Sequence, residues 1–385
     1  MVDVRSFDVR RSMLGVHSPR IYISSGEASG DLHGAGVVRA LRRRFPSAVI
    51  DATGGPHMAS AGASLRHSSA TCEAMGIVEV VRTLPRHWSI LTDLSGAFRA
   101  GAYDLVVLID YPGFHVRLAR AAARAGIPVL YYIAPQLWAW GSGRSSRLRR
   151  SIRELAVILP FEEDFFRRLD IPATFVGHPL LDRPAPPARA DARARQGIPA
   201  TAPVVALFPG SRPQEHERMW PRFRDAAKQL RGDHPELGVV VAGTRRFSYP
   251  GAEDFAVVWD APGEVLAAAD AVLCKSGTAT LEAALADVPM VVSYRLNPIT
   301  FGIARHLVCT PHISLVNLVA GRAVVPELLQ EAATSHALAD SLRPLLDRNS
   351  AASRRQREAF GEVRAKLGRP GAGERVAEIA SRLVA

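Results

Sequence analysis

The chain has 385 residues, 48% hydrophobic and 22% charged, which is too long for one ordinary core and too apolar for a disordered chain, so two folded domains are expected. Its three cysteines, Cys72, Cys274 and Cys309, are widely separated and form no Cys-x-x-Cys pair, which supports neither a disulfide framework nor a cysteine zinc site and fits a reducing cytoplasm. The net charge of +11 is mostly arginine spread along the chain with no aromatic-interleaved basic stripe, which argues against nucleic acid and leaves anionic lipid surfaces and phosphorylated substrates.

Residues 1–19 carry several arginines and no apolar core of secretory-signal length, so they read as a disordered basic tail. No later stretch approaches the roughly 20 apolar residues of a membrane-spanning helix. From Ile21 short β-branched runs alternate with amphipathic stretches. Ile21–Ser24, Ala48–Ala52, Leu105–Ile109, Val129–Tyr132, Ala156–Leu159 and Thr174–Val176 are expected strands of a first Rossmann-like domain, residues 20–183. The Pro- and Ala-rich passage Arg183 to Arg195 lacks apolar periodicity and reads as a linker. Val204–Phe208, Gly238–Ala242, Ala256–Trp259, Ala271–Cys274 and Met290–Ser293 then predict a second Rossmann-like domain, residues 184–350. Residues 351–385 read as charged helices whose apolar face, with Val363, Leu367, Val376, Ile379 and Leu383, crosses back onto the first domain. The fold class is therefore α/β, two parallel sheets expected to face an interdomain cleft with ligands beyond the carboxyl ends of their strands.

Motifs are accordingly sought just after strands. Ser25-Gly26-Glu27-Ala28-Ser29-Gly30-Asp31 is a small-residue loop opening a helix. It matches neither a Walker loop nor Gly-x-Gly-x-x-Gly, and Glu27, Ser29 and Asp31 fit a binding loop or a plain tight turn equally well. Leu105–Ile109 delivers Asp110 at a strand end, where Pro112 and Gly113 delay the next helix; the carboxylate suits a general base for a hydroxyl, or alternatively a helix cap. The aromatic run Tyr131 to Trp140, with Trp138, offers faces for sugar rings or acyl chains, although filling an interdomain core is the reading composition favours. Arg144 to Arg150 reads as a solvated helix face.

Pro209-Gly210-Ser211-Arg212 follows a strand, so that backbone N–H groups and a guanidinium converge where a diphosphate would lie. Lys275-Ser276-Gly277-Thr278-Ala279-Thr280-Leu281-Glu282 follows another strand and opens a helix with small residues. Backbone amides and the helix dipole favour an anion there by about a kcal/mol, with Glu282 one turn in to accept ribose hydroxyls. Met75 to Leu91 is unusually apolar for an arginine-punctuated segment and suits acyl chains or a bilayer surface, with core packing as the commoner use of such a pattern.

In order, these motifs, together with Met75–Val80, Trp138–Trp140, Leu159–Glu162, Val176–His178, Tyr294-Arg295 and Leu315–Arg322, resemble lipid-A-disaccharide synthases from about Ile21 to Gln330. The resemblance implies the two-domain GT-B glycosyltransferase fold, UDP-2,3-diacylglucosamine as donor, 2,3-diacylglucosamine 1-phosphate as acceptor, inversion to a β-1,6-linked disaccharide 1-phosphate, no required cofactor or catalytic metal, and peripheral association with the cytoplasmic face of the inner membrane. A homodimer is an open possibility. The resemblance also implies Asp110 as general base, Arg212 as donor-phosphate arginine, and Glu282 and Asn317 as residues needed for activity. Gly113 stands where family members often have a second Asp, which leaves Asp110 without a local substitute. Two other readings share these features: a UDP-N-acetylglucosamine 2-epimerase-like isomerase of the same fold, against which the Met75–Leu91 surface argues, and a non-enzymatic lipid- or nucleotide-binding protein, which has no need of Asp110.

Overall fold

The computed structural model describes residues 18–69, 77–140, 143, 145–297, 301–302 and 310–384. The expected tail before residue 18, Met75, Cys72, Cys309 and Arg144 lie outside the described residues. The chain divides into two compact units, with the boundary after Leu181, the chain from Pro370 onward returning to the first unit, and the short stretch Trp138 to Trp140 grouping with the second.

The first unit carries β1 (Arg20–Ser25), β2 (Val49–Gly54), β3 (Ser64–Ser68), β4 (Leu105–Ile109), β5 (Val129–Tyr132), β6 (Glu154–Val157) and β7 (Ala173–Phe175). Among the described residues they form one sheet in the order β3-β2-β1-β4-β5-β6-β7, every pair parallel. Helices α1 (Ala28–Arg44), α2 (Pro56–Ser60), α3 (Ile77–Arg99), α4 (Pro112–Arg124), α5 (Leu137–Trp140), α6 (Ser145–Arg149) and α7 (Glu162–Arg167) connect them. The inner strands are nearly continuous apolar runs because helices cover both faces. On one face Tyr22, Val106, Leu108 and Tyr131 pack with Ile90, Leu94 and Phe98 of α3 and Phe114 and Leu118 of α4. On the other, Ile21, Ile23, Val107, Ile109 and Tyr132 pack with Val37, Val38 and Leu41 of α1 and with Val376 and Ile379 of the closing helix Ala372–Val384. Tyr131 and Tyr132 thus fill the first unit's own two cores, one each, because successive strand residues point to opposite faces. For these two residues of the aromatic run this corrects the expectation of a core between domains.

The second unit carries α8 (Arg189–Arg195), β8 (Val204–Phe208), α9 (Pro213–Asp233), β9 (Gly238–Gly243), β10 (Ala256–Trp259), α10 (Pro262–Ala268), β11 (Ala271–Lys275), α11 (Thr278–Leu285), β12 (Met290–Tyr294), α12 (Leu315–Ala320), β13 (Glu327–Leu329), α13 (Ser335–Leu342) and α14 (Ala351–Lys366). Its sheet, again among the described residues, runs β10-β9-β8-β11-β12-β13, all parallel. The closing segment is split between the units: α14 stays with the second, where the Gln356 amide accepts from the Met290 N–H at 2.8 Å and donates to the Met290 carbonyl at 3.1 Å.

The passage Arg183 to Arg195 is only in part the linker its composition suggests. Its second half is α8, held by Arg193, whose side chain is 3% exposed, pairs with Asp270 at 2.7 Å and donates to the carbonyls of Ala268, Ala200 and Ala202. Arginine is usually exposed, so an arginine used as a core anchor leaves no apolar period to detect. Strands β3 and β13 also go unmarked in the sequence, since both are short edge strands without a buried run.

Candidate active site

In the first sheet the strand order reverses between β1 and β4, and Ser25 pairs with Ile109, so the chain leaves the sheet side by side at Gly26 and Asp110. Such a switch point is where open α/β sheets bind ligands. Asp110 (φ 51°) and Tyr111 (φ 54°) are consecutive non-glycine residues in the left-handed region, a conformation that costs on the order of 1–3 kcal/mol each. Two buried side chains hold it. The Asp110 carbonyl accepts from His115 Nδ1 at 2.7 Å and from the Tyr131 hydroxyl at 2.7 Å. With Nδ1 protonated, His115 Nε2 accepts from the Ser24 hydroxyl at 2.8 Å. His115 is wholly buried, and burial pushes its imidazole down to about 4, so the ring is neutral near pH 7. Burial pushes the Tyr131 phenol well up, and the charge of Asp110 adds to that, which keeps the phenol a donor.

The Tyr111 ring lies on Gly26. A Cβ built on Gly26 would sit 2.2 Å from Cγ of Tyr111, so only glycine allows the two loops to touch. The Tyr111 hydroxyl is hydrogen-bonded to His87 Nε2 at 2.9 Å. Backbone strain, two side-chain donors and a ring stacked on a glycine together fix where the half-buried Asp110 side chain leaves β4.

The other residues expected in this half divide. Glu27, the N-cap residue of α1, and Ser29, in its first turn, are exposed. Asp31 is 2% exposed, and its carboxylate accepts from the N–H groups of Gly55 (2.7 Å), His57 (3.0 Å) and Met58 (3.1 Å). It therefore caps the start of α2 from α1, its carboxylate turned into the frame. Trp138 is buried in α5.

In the second sheet the order reverses between β8 and β11, where Phe208 pairs with Cys274. The loop Pro209 to Arg212 and the turn Ser276-Gly277 are therefore neighbours. Arg212 is the exposed N-cap residue of α9, and Ser211 beside it is exposed. Gly210 has φ 119°, and a Cβ there would meet Cβ of Glu215 at 2.8 Å, so the loop is shaped by a conformation other residues rarely adopt. Gly277 is the N-cap residue of α11, which brings the amides of Thr278 and Ala279 to a helix start, where dipole and N–H groups suit an anion.

Four residues expected to bind the donor prove to be framework in whole or part. Thr280 is fully buried and donates to the Gly277 carbonyl at 2.8 Å, closing the first turn of α11. The Ser276 hydroxyl donates to the Ile313 carbonyl at 2.7 Å. Glu282 pairs with Arg183 at 2.7 Å, so the carboxylate expected to meet ribose hydroxyls is engaged by a guanidinium. Asn317 is 1% exposed and its amide is saturated: it donates to the Val325 carbonyl and to Glu327 and accepts from the N–H groups of Val324 and Val325. Glu327 also accepts from the N–H groups of Ile313 and Ser314, so Asn317 braces the segment that holds Ser276 rather than presenting an amide to a ligand.

Sequence reasoning passed over His115, Tyr131, Glu215 and Lys275. His115 follows Asp110 by five residues on the buried face of α4, and a histidine there was the available signal. Lys275 opens a motif already singled out and Glu215 lies three residues beyond another, yet nothing in their spacing says that they meet.

Two parallel sheets of the same winding, each with a loop-borne site at its switch point, define a GT-B glycosyltransferase architecture. The solved glycotransferase of kitacinnamycin is similar in fold, with a TM-score of 0.63 at 18% identity over 95% of this chain and 99% of that one. The UDP-GlcNAc 2-epimerase of Neisseria meningitidis bound to UDP-GlcNAc has a TM-score of 0.59 at 10% identity, covering 94% and 98%, a likeness of fold alone. The family model described as Lipid-A-disaccharide synthetase matches residues 21–379. The lipid-A-disaccharide synthase of Anaeromyxobacter dehalogenans (strain 2CP-C) is 40% identical over 376 residues, covering 94% of this chain and 98% of that one. The chain belongs to the lipid-A-disaccharide synthase family and is a glycosyltransferase, which sets aside the isomerase and the non-enzymatic readings.

Proposed function

We propose that the chain transfers 2,3-diacylglucosamine from its UDP donor to the 6-hydroxyl of 2,3-diacylglucosamine 1-phosphate, giving the β-1,6-linked disaccharide 1-phosphate and UDP with inversion. Asp110 takes the proton of the attacking hydroxyl. The new C–O bond forms as the anomeric carbon's bond to the UDP oxygen breaks, and negative charge grows on the diphosphate. Arg212 and the amides at the start of α11 receive that charge, stabilising it more in the transition state than in the bound donor. The observation that carries the assignment of the base is the locked strand end: a strained Asp110-Tyr111 turn whose carbonyl is held by His115 and Tyr131.

The lipid character of both substrates calls for a membrane surface. Among the described residues no helix is long and apolar enough to cross a membrane. Leu84 and Trp88, 42% and 64% exposed and one turn apart on α3, support peripheral contact, as does the net charge of +11.

The test uses both lipid substrates with product analysis by mass spectrometry. Asp110→Asn should lose disaccharide formation by several orders of magnitude while binding UDP as the parent chain does. Turnover retained in that variant would refute the role of Asp110, and failure of the parent chain to make the disaccharide would refute the substrate assignment.

A further inference from the structure

Between the Pro209–Arg212 loop and the Ser276-Gly277 turn lies a buried ion pair. Lys275, the last residue of β11, places Nζ 2.8 Å from Oε1 of Glu215 in the first turn of α9, with side chains only 19% and 9% exposed. The pair lies against both loops: the ammonium is 3.3 Å from a Cβ built on Gly277, and Oε2 of Glu215 is 3.0 Å from one built on Gly210. It also sits 5.4 Å over the Tyr294 ring, on the strand beside β11. Among the described residues the buried Oε2 of Glu215 has no hydrogen-bond partner.

As a device for stability this arrangement is poor. Withdrawing charges from water is costly, a cost that a buried pair recovers only when hydrogen bonds satisfy both partners fully, and here one carboxylate oxygen is unused. Alanine, valine, leucine and cysteine occupy the preceding positions of β11, so the sheet itself makes no demand for a cation at residue 275. What the position does offer is an ammonium with three N–H donors at a switch point, next to a helix start and in the same field as further cations. Burial raises the Tyr294 phenol, Glu215 raises it further, and Arg212 and Arg218 pull the other way, so all three charges reach this one ring.

We propose that Lys275 is a second cation of the donor-diphosphate site, acting with Arg212, and that Glu215 is its resting counter-ion. This rests on the reading of the donor as a nucleoside diphosphate sugar. Before the donor arrives Glu215 holds the ammonium in place beside the two loops. A diphosphate oxygen then takes one of the remaining N–H donors of the ammonium.

Isothermal titration of the full chain with UDP, and with uridine as the probe lacking phosphate, tests this. Lys275→Met should weaken UDP binding about tenfold or more and leave uridine binding unchanged, while Lys275→Arg retains most of the UDP affinity. Because Lys275→Met leaves a buried unpaired carboxylate, the double variant Lys275→Met/Glu215→Gln serves as the stable control and should show the same loss for UDP. Glu215→Gln alone should bind UDP at least as tightly as the parent. UDP affinity within about twofold of the parent in the double variant would overturn the proposal, as would an equal loss for uridine or a loss in Glu215→Gln matching that of the double variant. If the parent chain itself binds no UDP, the donor reading fails instead.

Discussion

The neutral, buried His115 makes the first unit acid-sensitive in a way that can be measured. In the folded chain its imidazole is pushed down to about 4 from 6.5 by burial. Between those values the unfolded chain holds the proton and the folded chain does not, so stability from this group is fully present above pH 6.5 and is lost progressively as pH falls to 4. The full loss corresponds to roughly 3 kcal/mol, and about 2 kcal/mol of it falls between pH 7 and pH 5. Other groups titrate in that range too, so the quantity to follow is the difference between the parent chain and His115→Asn. Asparagine keeps an N–H donor for the Asp110 carbonyl but cannot titrate, and it gives up the bond from the Ser24 hydroxyl. At pH 7 it should therefore cost about 1–3 kcal/mol. On acidification to pH 5 the gap should narrow by about 2 kcal/mol. Hydrogen exchange in urea, read on peptides from β4 and α4, reports the stability of this unit alone. A gap constant to within about 0.5 kcal/mol over that range would refute the assignment of a neutral histidine behind Asp110.

Asn317→Ala leaves Glu327 short of a donor and two buried N–H groups short of an acceptor, so it should cost about 2–5 kcal/mol and lower the melting temperature together with UDP affinity. Loss of UDP affinity at an unchanged melting temperature would instead mean that Asn317 touches the donor. On α3, replacing Trp88 with alanine should lower the fraction sedimenting with anionic liposomes and leave the melting temperature nearly unaltered, since the side chain is 64% exposed. Equal sedimentation of both proteins at every salt concentration would exclude this surface from membrane contact.

The alternation of apolar runs and helical stretches carried the architecture because parallel strands buried on both faces leave a nearly continuous mark: β4, β5 and β8 begin and end where their residues predict. The edge strands β3 and β13 leave no such mark. Nor does α8, whose anchor is the charged side chain of Arg193, which buries itself by satisfying its own donors on three carbonyls and a carboxylate.

The site was legible to a different depth. Position after a strand marked the loops at Gly26, Asp110, Pro209 and Ser276, but which of them adjoin is set by the parallel register and winding order. Position cannot say whether a polar side chain turns toward a ligand or back into the frame. Asp31, Thr280 and Asn317 all turn back, each satisfying backbone groups that a tight strand-to-helix connection would otherwise leave unpaired. The reverse holds for His115 and Lys275. Each occupies a place where burial argues for an apolar residue, and a titratable group there stays only if partners reach it from other elements. Asp110 and Glu215 are those partners, the one through its carbonyl and the other through its carboxylate. The difference between them is instructive. The His115 network closes on itself and fixes a backbone, whereas the Lys275 ammonium, held by Glu215 at a switch point, keeps N–H donors that an anionic ligand can take.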